Sequence, residues 1–179
     1  MVYTAHYTSP IGGMLLAGRD GKLIGLWLEG QKYYMGSLKE ELKECSDLPI
    51  FIQAKKWLDR YFSGEKPSAA ELDLAPEGSS FQREVWKILC EIPYGQVTTY
   101  GEIAKKIAQK RMLKSMSAQA VGGAVARNPI SVIIPCHRVV GSDKSLTGYA
   151  GGIDKKRRLL ALEGIIAGKT PAIKSSCCR

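Results

Sequence analysis

Ser117-Ala118-Gln119-Ala120-Val121-Gly122-Gly123-Ala124-Val125-Ala126-Arg127-Asn128-Pro129-Ile130-Ser131-Val132-Ile133-Ile134-Pro135-Cys136-His137-Arg138-Val139-Val140 passes from a helical pattern into a short apolar run and ends on a cysteine beside a histidine. The pattern predicts a helix from Ser117 to Arg127, stopped at Asn128-Pro129. Upstream, Ser79 and Gln82 are spaced as a capping box, and Phe81, Val85, Trp86, Leu89 and Cys90 make an apolar stripe, which places Cys90 in core packing. Ile92-Pro93-Tyr94-Gly95 breaks that helix. Thr99 and Glu102 form a second capping box that opens a helix to about Lys110. Two successive short helices fit a helix-turn-helix, although the connection through Lys110-Arg111-Met112-Leu113-Lys114 is longer than the usual turn.

Downstream of Val140 runs a Gly/Ser/Thr-rich loop, 141–152, and Asp154 is placed to cap a last helix over 155–163, with Gly164 at the left-handed position that ends it. The N-terminal half reads differently. Val2 to Thr8, Met14 to Arg19 and Leu23 to Leu28 are β-rich, and Asp20-Gly21 is a hairpin turn. Helical patterns follow near 32–45 and 49–62, the second with Phe51, Ala54, Leu58, Tyr61 and Phe62 on one stripe. Residues 64–78, with a Leu72/Leu74 alternation, fit an edge strand and then a linker. The fold class is therefore a small antiparallel sheet with helices over 1–77, a mostly helical unit over 78–168, and a polar tail over 169–179.

The 179-residue chain carries 26 Lys and Arg against 17 Asp and Glu, but the formal +9 divides unevenly, −2 over residues 1–78 and +11 over 79–179. That asymmetry suits a polyanion partner, with a merely solvated basic face as the alternative. The N-terminus lacks the basic start and apolar core of a signal peptide, and no apolar run approaches a membrane span, so the expected location is the cytosol, with no membrane partner. Five cysteines at 45, 90, 136, 177 and 178 form no CxxC pair, and only His6 and His137 stand beside them, so no structural metal is expected. Cys177 and Cys178 read as incidental thiols of the tail.

Cys136 at the end of an apolar run, next to His137, is a candidate nucleophile, because a thiol near neutral pH needs a base or a cation to raise its thiolate fraction. His137 can serve directly or through a water, and Glu163, in Leu159-Leu160-Ala161-Leu162-Glu163-Gly164, is the carboxylate best placed to orient the imidazole. On adjacency alone, a buried structural cysteine beside a surface histidine stays open.

Ile134-Pro135-Cys136-His137-Arg138-Val139-Val140 resembles the active-site motif of the O6-alkylguanine-DNA alkyltransferases, single-use repair proteins. Ile92 to Tyr100, Ala120-Val121-Gly122-Gly123-Ala124, Arg127-Asn128-Pro129, Tyr149-Ala150-Gly151-Gly152 and Leu159 to Gly164 match that family in order and spacing, over about 79–168. The resemblance implies a winged helix-turn-helix with Ser117 to Arg127 as recognition helix in the minor groove. It implies Cys136 as alkyl acceptor, His137 and a water as proton acceptor, Glu163 as orienting carboxylate, and Asn128 as the hinge of the active-site turn. Tyr100 would protonate the departing guanine, the backbone of Val139 and Ala150 would read the flipped base, and Ser131, Thr147 and Tyr149 would line the alkyl pocket. Gln119, Ala120, Gly122, Gly123, Arg127 and Arg138 would meet DNA, the two glycines allowing close approach to phosphates. The implied partner is double-stranded DNA containing alkylated guanine, met by a monomer without cofactor. One departure stands out: Gln119 replaces the arginine that most of the family uses to fill the gap left by the flipped base. Outside the family, a winged-helix regulator explains the basic half without Cys136, and a cysteine hydrolase explains Cys136 and His137 without the basic half.

Overall fold

The computed structural model describes residues 1–166 except 37 and 39, so the tail and its two cysteines lie outside the described residues. Three strands, β1 (Val2–Ser9), β2 (Gly12–Arg19) and β3 (Lys22–Leu28), form the antiparallel meander that the sequence suggests. Asp20 and Gly21 both adopt positive φ between β2 and β3, the backbone of a tight hairpin. A fourth strand, β4 (Leu42–Glu44), adds in parallel to the free edge of β1, giving the order β3-β2-β1-β4. The sheet is therefore mixed rather than purely antiparallel.

The helix expected over 32–45 does not form. Tyr33, Met35 and Gly36 all adopt positive φ, which interrupts a right-handed helix, and 42–44 pairs with β1 instead. The edge strand expected near Leu72 and Leu74 reduces to one bridge, in which Leu23 N–H donates to Asp73 O and Ala75 N–H to Leu23 O, each at 2.8 Å.

Helix α1 (Pro49–Phe62) starts on Pro49, whose missing N–H costs nothing in a first turn. It lays Phe51, Ala54, Trp57, Leu58, Tyr61 and Phe62 against the sheet, and each large side chain so buried contributes about 1.5–3 kcal/mol.

The remaining helices are α2 (Ser80–Cys90), α3 (Tyr100–Lys110), α4 (Ala118–Ala126) and α5 (Ile153–Leu162). Both anticipated capping boxes are made, Ser79 with Gln82 and Thr99 with Glu102. Trp86 Nε1 donates to Ala124 O at 2.9 Å and locks α2 to α4, while α3 and α4 form the helix-turn-helix across the connection 111–117. Cys90 is exposed, not core: as the last residue of α2 it lies off the buried face of Val85, Trp86, Ile88 and Leu89. Two short strands, β5 (Thr98–Thr99) and β6 (Val139–Val140), pair in parallel beside these helices. Gly152 rather than Asp154 is the N-cap of α5, and Asp154 sits within its first turn. At the other end Gly164, at φ 75°, completes the expected stop: Gly164 N–H donates to Ala161 O and Ile165 N–H to Leu160 O.

One hydrophobic cluster runs from Ala5 through α1 and α2 to Leu159, so the two halves share a core. The outer edge of β3 also grips the active-site segment: Leu26 N–H donates to Pro129 O and Ser131 N–H to Leu26 O, each at 2.8 Å. Among the described residues no helix is long and apolar enough to cross a membrane.

Candidate active site

The segment from Asn128 to Cys136 is an irregular turn held by one side chain. Asn128 Nδ2 donates to Ile134 O at 2.8 Å and to Ile130 O at 3.3 Å, and its Oδ1 accepts from Ile130 N–H at 3.0 Å. This clamp holds Val132 at φ 71°, a conformation that a β-branched residue adopts only under constraint. The turn delivers Cys136 into the first position of a 3₁₀ turn, Cys136–Arg138, with the residue only 5% exposed.

Burial pushes the Cys136 thiol up, while the Asn128 amide, the Lys156 ammonium and the N–H groups of Cys136 and His137 pull it down. Lys156 is wholly buried, and its Nζ donates to Val139 O at 2.5 Å and Thr147 O at 2.8 Å. Burial lowers its amino group to about 8, with the neighbouring cysteine opposing that shift.

Behind the thiol, His137 Nε2 lies 2.6 Å from Glu163 Oε1, both side chains being inaccessible to solvent. Glu163 also accepts from Tyr61 Oη at 2.7 Å, from Arg138 Nε at 2.9 Å and Nη2 at 3.1 Å, and from Gly95 N–H at 3.2 Å. Burial alone would raise the Glu163 carboxyl; the hydrogen bonds and charges of His137 and Arg138 outweigh it and hold the group near 2. Burial, with Arg138 and Lys156, lowers the His137 imidazole against the pull of Glu163, so the ring is neutral at pH 7. With Nε2 facing a carboxylate, the ring proton belongs there, and Nδ1, buried and without a protein partner among the described residues, is left as the free base.

Tyr100 Oη donates to Thr147 O at 3.2 Å and Gly148 O at 3.4 Å, and burial followed by the cysteine charge raises its phenol. The Tyr149 hydroxyl is buried beside the thiol and has no protein partner among the described residues. The carbonyl of Val139 is taken by Lys156 and that of Ala150 accepts from Lys32 N–H at 2.9 Å.

Two anticipated roles change. Arg138 is not a free cation for phosphates: it is 8% exposed, its Nε and Nη2 bind Glu163 and its Nη1 donates to Ile92 O at 2.6 Å. Ser131 is buried and gives its hydroxyl proton to Gln31 Oε1 at 3.0 Å, bracing the N-terminal unit. Gln119 and Ala120 are exposed at the start of α4. An added Cβ at Gly122 would meet only the Tyr100 ring, at 3.8 Å. Arg127 Nη1 donates to Gly123 O, and its guanidinium lies 4.9 Å from the Tyr33 ring centre. Three participants were not read as such from sequence: Tyr61 looks like one more residue of an apolar stripe, Lys156 hides in the run Lys155-Lys156-Arg157-Arg158, and Gln31 sits just ahead of a supposed helix.

A helix-turn-helix unit that carries a buried thiol backed by an imidazole and a carboxylate defines a DNA-binding protein with its own nucleophile. Residues 80–165 match the model of the 6-O-methylguanine DNA methyltransferase DNA binding domain, and residues 2–76 match the ribonuclease-like domain of the same proteins. The chain is 49% identical over 156 residues to the methylated-DNA–protein-cysteine methyltransferase of Methanosarcina barkeri, covering 87% of this chain and 92% of that one. With the Haemophilus influenzae enzyme of the same name it shares 39% identity over 164 residues, 92% and 87% of the two chains. The crystal structure of Mycobacterium tuberculosis O6-methylguanine methyltransferase superposes with a TM-score of 0.74 at 40% identity, covering 91% and 93% of the two chains. The M. tuberculosis OGT solved in complex with DNA gives 0.74 at 39% identity, covering 90% and 91%. The chain belongs to the O6-methylguanine-DNA methyltransferase family. Its activity is DNA repair by direct transfer of an alkyl group to a cysteine of the protein itself.

Proposed function

We propose that Cys136 is the alkyl acceptor and that the substrate is O6-alkylguanine in double-stranded DNA, turned out of the stack and repaired by a monomer in the cytoplasm. The chain divides in this reading at 77/78, with a tail from 169. The observation that carries it is the line from the Cys136 turn through His137 to a Glu163 carboxylate fixed by donors from four residues, a relay with no purpose for a merely structural thiol. A base flipped into the site brings its O6-alkyl carbon to Sγ. The thiol proton passes to Nδ1 of His137, directly or through a water, and the sulfur forms a bond to the alkyl carbon as the carbon–O6 bond breaks.

The electron pair leaves with the guanine, which takes a proton from Tyr100 once that hydroxyl turns from the Thr147 and Gly148 carbonyls. The thioether cannot be hydrolysed, so each molecule acts once. Asn128 holds the turn, Ala150 and Val139 meet the base edge, and Tyr149 and Thr147 border the alkyl group. Extrusion costs a few kcal/mol, less for a poorly paired lesion. Gln119, Ala120, Gly122 and Gly123 on α4, with Arg127 at its C-cap, meet the duplex in this reading; a DNA partner is supported by the M. tuberculosis relative solved in complex with DNA.

The test is Cys136→Ala. It abolishes transfer from O6-methylguanine duplex while DNA affinity, read by fluorescence anisotropy, stays within a few-fold and falls steeply with salt. Residual transfer by this variant, or affinity insensitive to salt, refutes the assignment.

A further inference from the structure

We propose that Tyr61, supplied by α1 of the N-terminal unit, is a positioning residue that fixes the tautomer and orientation of His137. The inference rests on the reading of Cys136, His137 and Glu163 as a relay. Tyr61 lies 76 residues before His137 and 102 before Glu163 in the chain, yet its hydroxyl is 2.7 Å from Glu163 Oε1 and 3.3 Å from His137 Nε2. The phenol is wholly buried, and burial together with the Glu163 charge raises it well above its ordinary value, so it is a neutral donor at every working pH.

Having one proton, that hydroxyl gives it to the carboxylate and turns a lone pair toward Nε2–H. The imidazole proton is thus held between two acceptors, Glu163 Oε1 and Tyr61 Oη, and the tautomer with Nδ1 bare is favoured over its alternative. A phenylalanine in the same place would fill the stripe equally well but could do neither.

The ring is itself over-determined. Trp57 stacks on it at 5.5 Å and 10°, and Phe62, Tyr94 and His137 meet it edge-on at 5.2, 6.1 and 6.4 Å. The charged and titratable groups around the relay come from several elements: Glu163 at the end of α5, Lys156 within α5, Arg138 beside His137, Tyr94 before β5, Tyr100 on α3 and Tyr149 in the loop after β6. None of the others both donates to Glu163 Oε1 and accepts from Nε2–H. Through Tyr61 the N-terminal unit, which among its described residues holds no other group of the relay, sets the state of the base in the C-terminal one.

The experiment reads Cys136 without DNA: the pH–rate profile of its alkylation by iodoacetamide, mapped by peptide mass spectrometry, in wild type, Tyr61→Phe and Trp57→Phe. Tyr61→Phe should react about five- to tenfold more slowly at pH 7, the worth of a buried hydrogen bond. Its profile should shift to higher pH and meet the wild type once the thiol ionises unaided. Trp57→Phe, which loosens the same face of α1 and spares the hydroxyl, should lower Tm without moving the profile. An unmoved profile in Tyr61→Phe, or an equal shift in Trp57→Phe, overturns the proposal. If Tyr61→Phe does not fold, nitrogen-15 shifts of wild-type His137 decide, and only His6 needs distinguishing. An Nε2–H tautomer at neutral pH supports the proposal and an Nδ1–H tautomer overturns it. Absence of transfer from alkylated DNA in wild type would sink the repair assignment while leaving this thiol readout intact.

Discussion

Glu163→Gln removes one charge from a site where every donor is aimed at a carboxylate, and the cost can be worked from the geometry. Both carboxylate oxygens are shielded from water and receive donors from Tyr61, His137, Arg138 and Gly95. The gap between an ordinary glutamate at 4.5 and a group held at about 2 corresponds to roughly 3 kcal/mol of stability. Because the folded value lies below the unfolded one, that contribution is complete above about pH 4.5 and is lost as pH falls toward about 2. The amide keeps the volume, but it turns an N–H₂ group toward donors and leaves Arg138 short of a partner, a type of change that costs about 3–5 kcal/mol. For a chain of this size that is roughly a 6–20 °C fall in Tm. Calorimetry across pH 3–7 should show this gap at neutral pH and its shrinkage below pH 4.5, and Cys136 reactivity at pH 7 should fall with it. A drop smaller than about 2 °C, or a gap constant into acid, would refute the claim that the carboxylate is ionised and bound as described.

Lys156→Met should raise the apparent pKa of Cys136 and slow its reaction at pH 7 severalfold, because the ammonium that favours the thiolate is gone. Between about 8 and 10.5 the unfolded chain keeps a proton that folded Lys156 has released, so the wild type gains stability with rising pH in that window and the variant should not. Gln119→Arg should increase the extrahelical population, read by a fluorescent base at the lesion, and speed transfer to duplex more than to free O6-alkylguanine. Equal acceleration of both substrates would place Gln119 on the pocket instead.

Local signals carried the parts of the fold that depend on a few neighbouring residues. The boxes Ser79 with Gln82 and Thr99 with Glu102, the start of α1, and Gly164 at the end of α5 each satisfy backbone groups within one turn, so they are legible without the rest of the chain. The helix over 32–45 failed because that segment is governed by distant partners: the free edge of β1 takes 42–44, and Lys32 is fixed to the Ala150 carbonyl. Arg138 was placed on DNA by the family resemblance, and only the fold brings Glu163 and Ile92 O to it. The same long-range character hid Tyr61 and Lys156. Asn128 was legible as the clamp of the turn only through the family resemblance, and Ser131, placed in the alkyl pocket by the same resemblance, spends its hydroxyl on Gln31.

The most direct measurement of the central claim is the mass of the intact protein after excess O6-methylguanine duplex carrying an isotopically labelled methyl, followed by peptide mapping. One labelled methyl per molecule, located on Cys136, with no turnover beyond that first event, is the result expected. Repeated turnover, or label confined to another of the five cysteines, would contradict it.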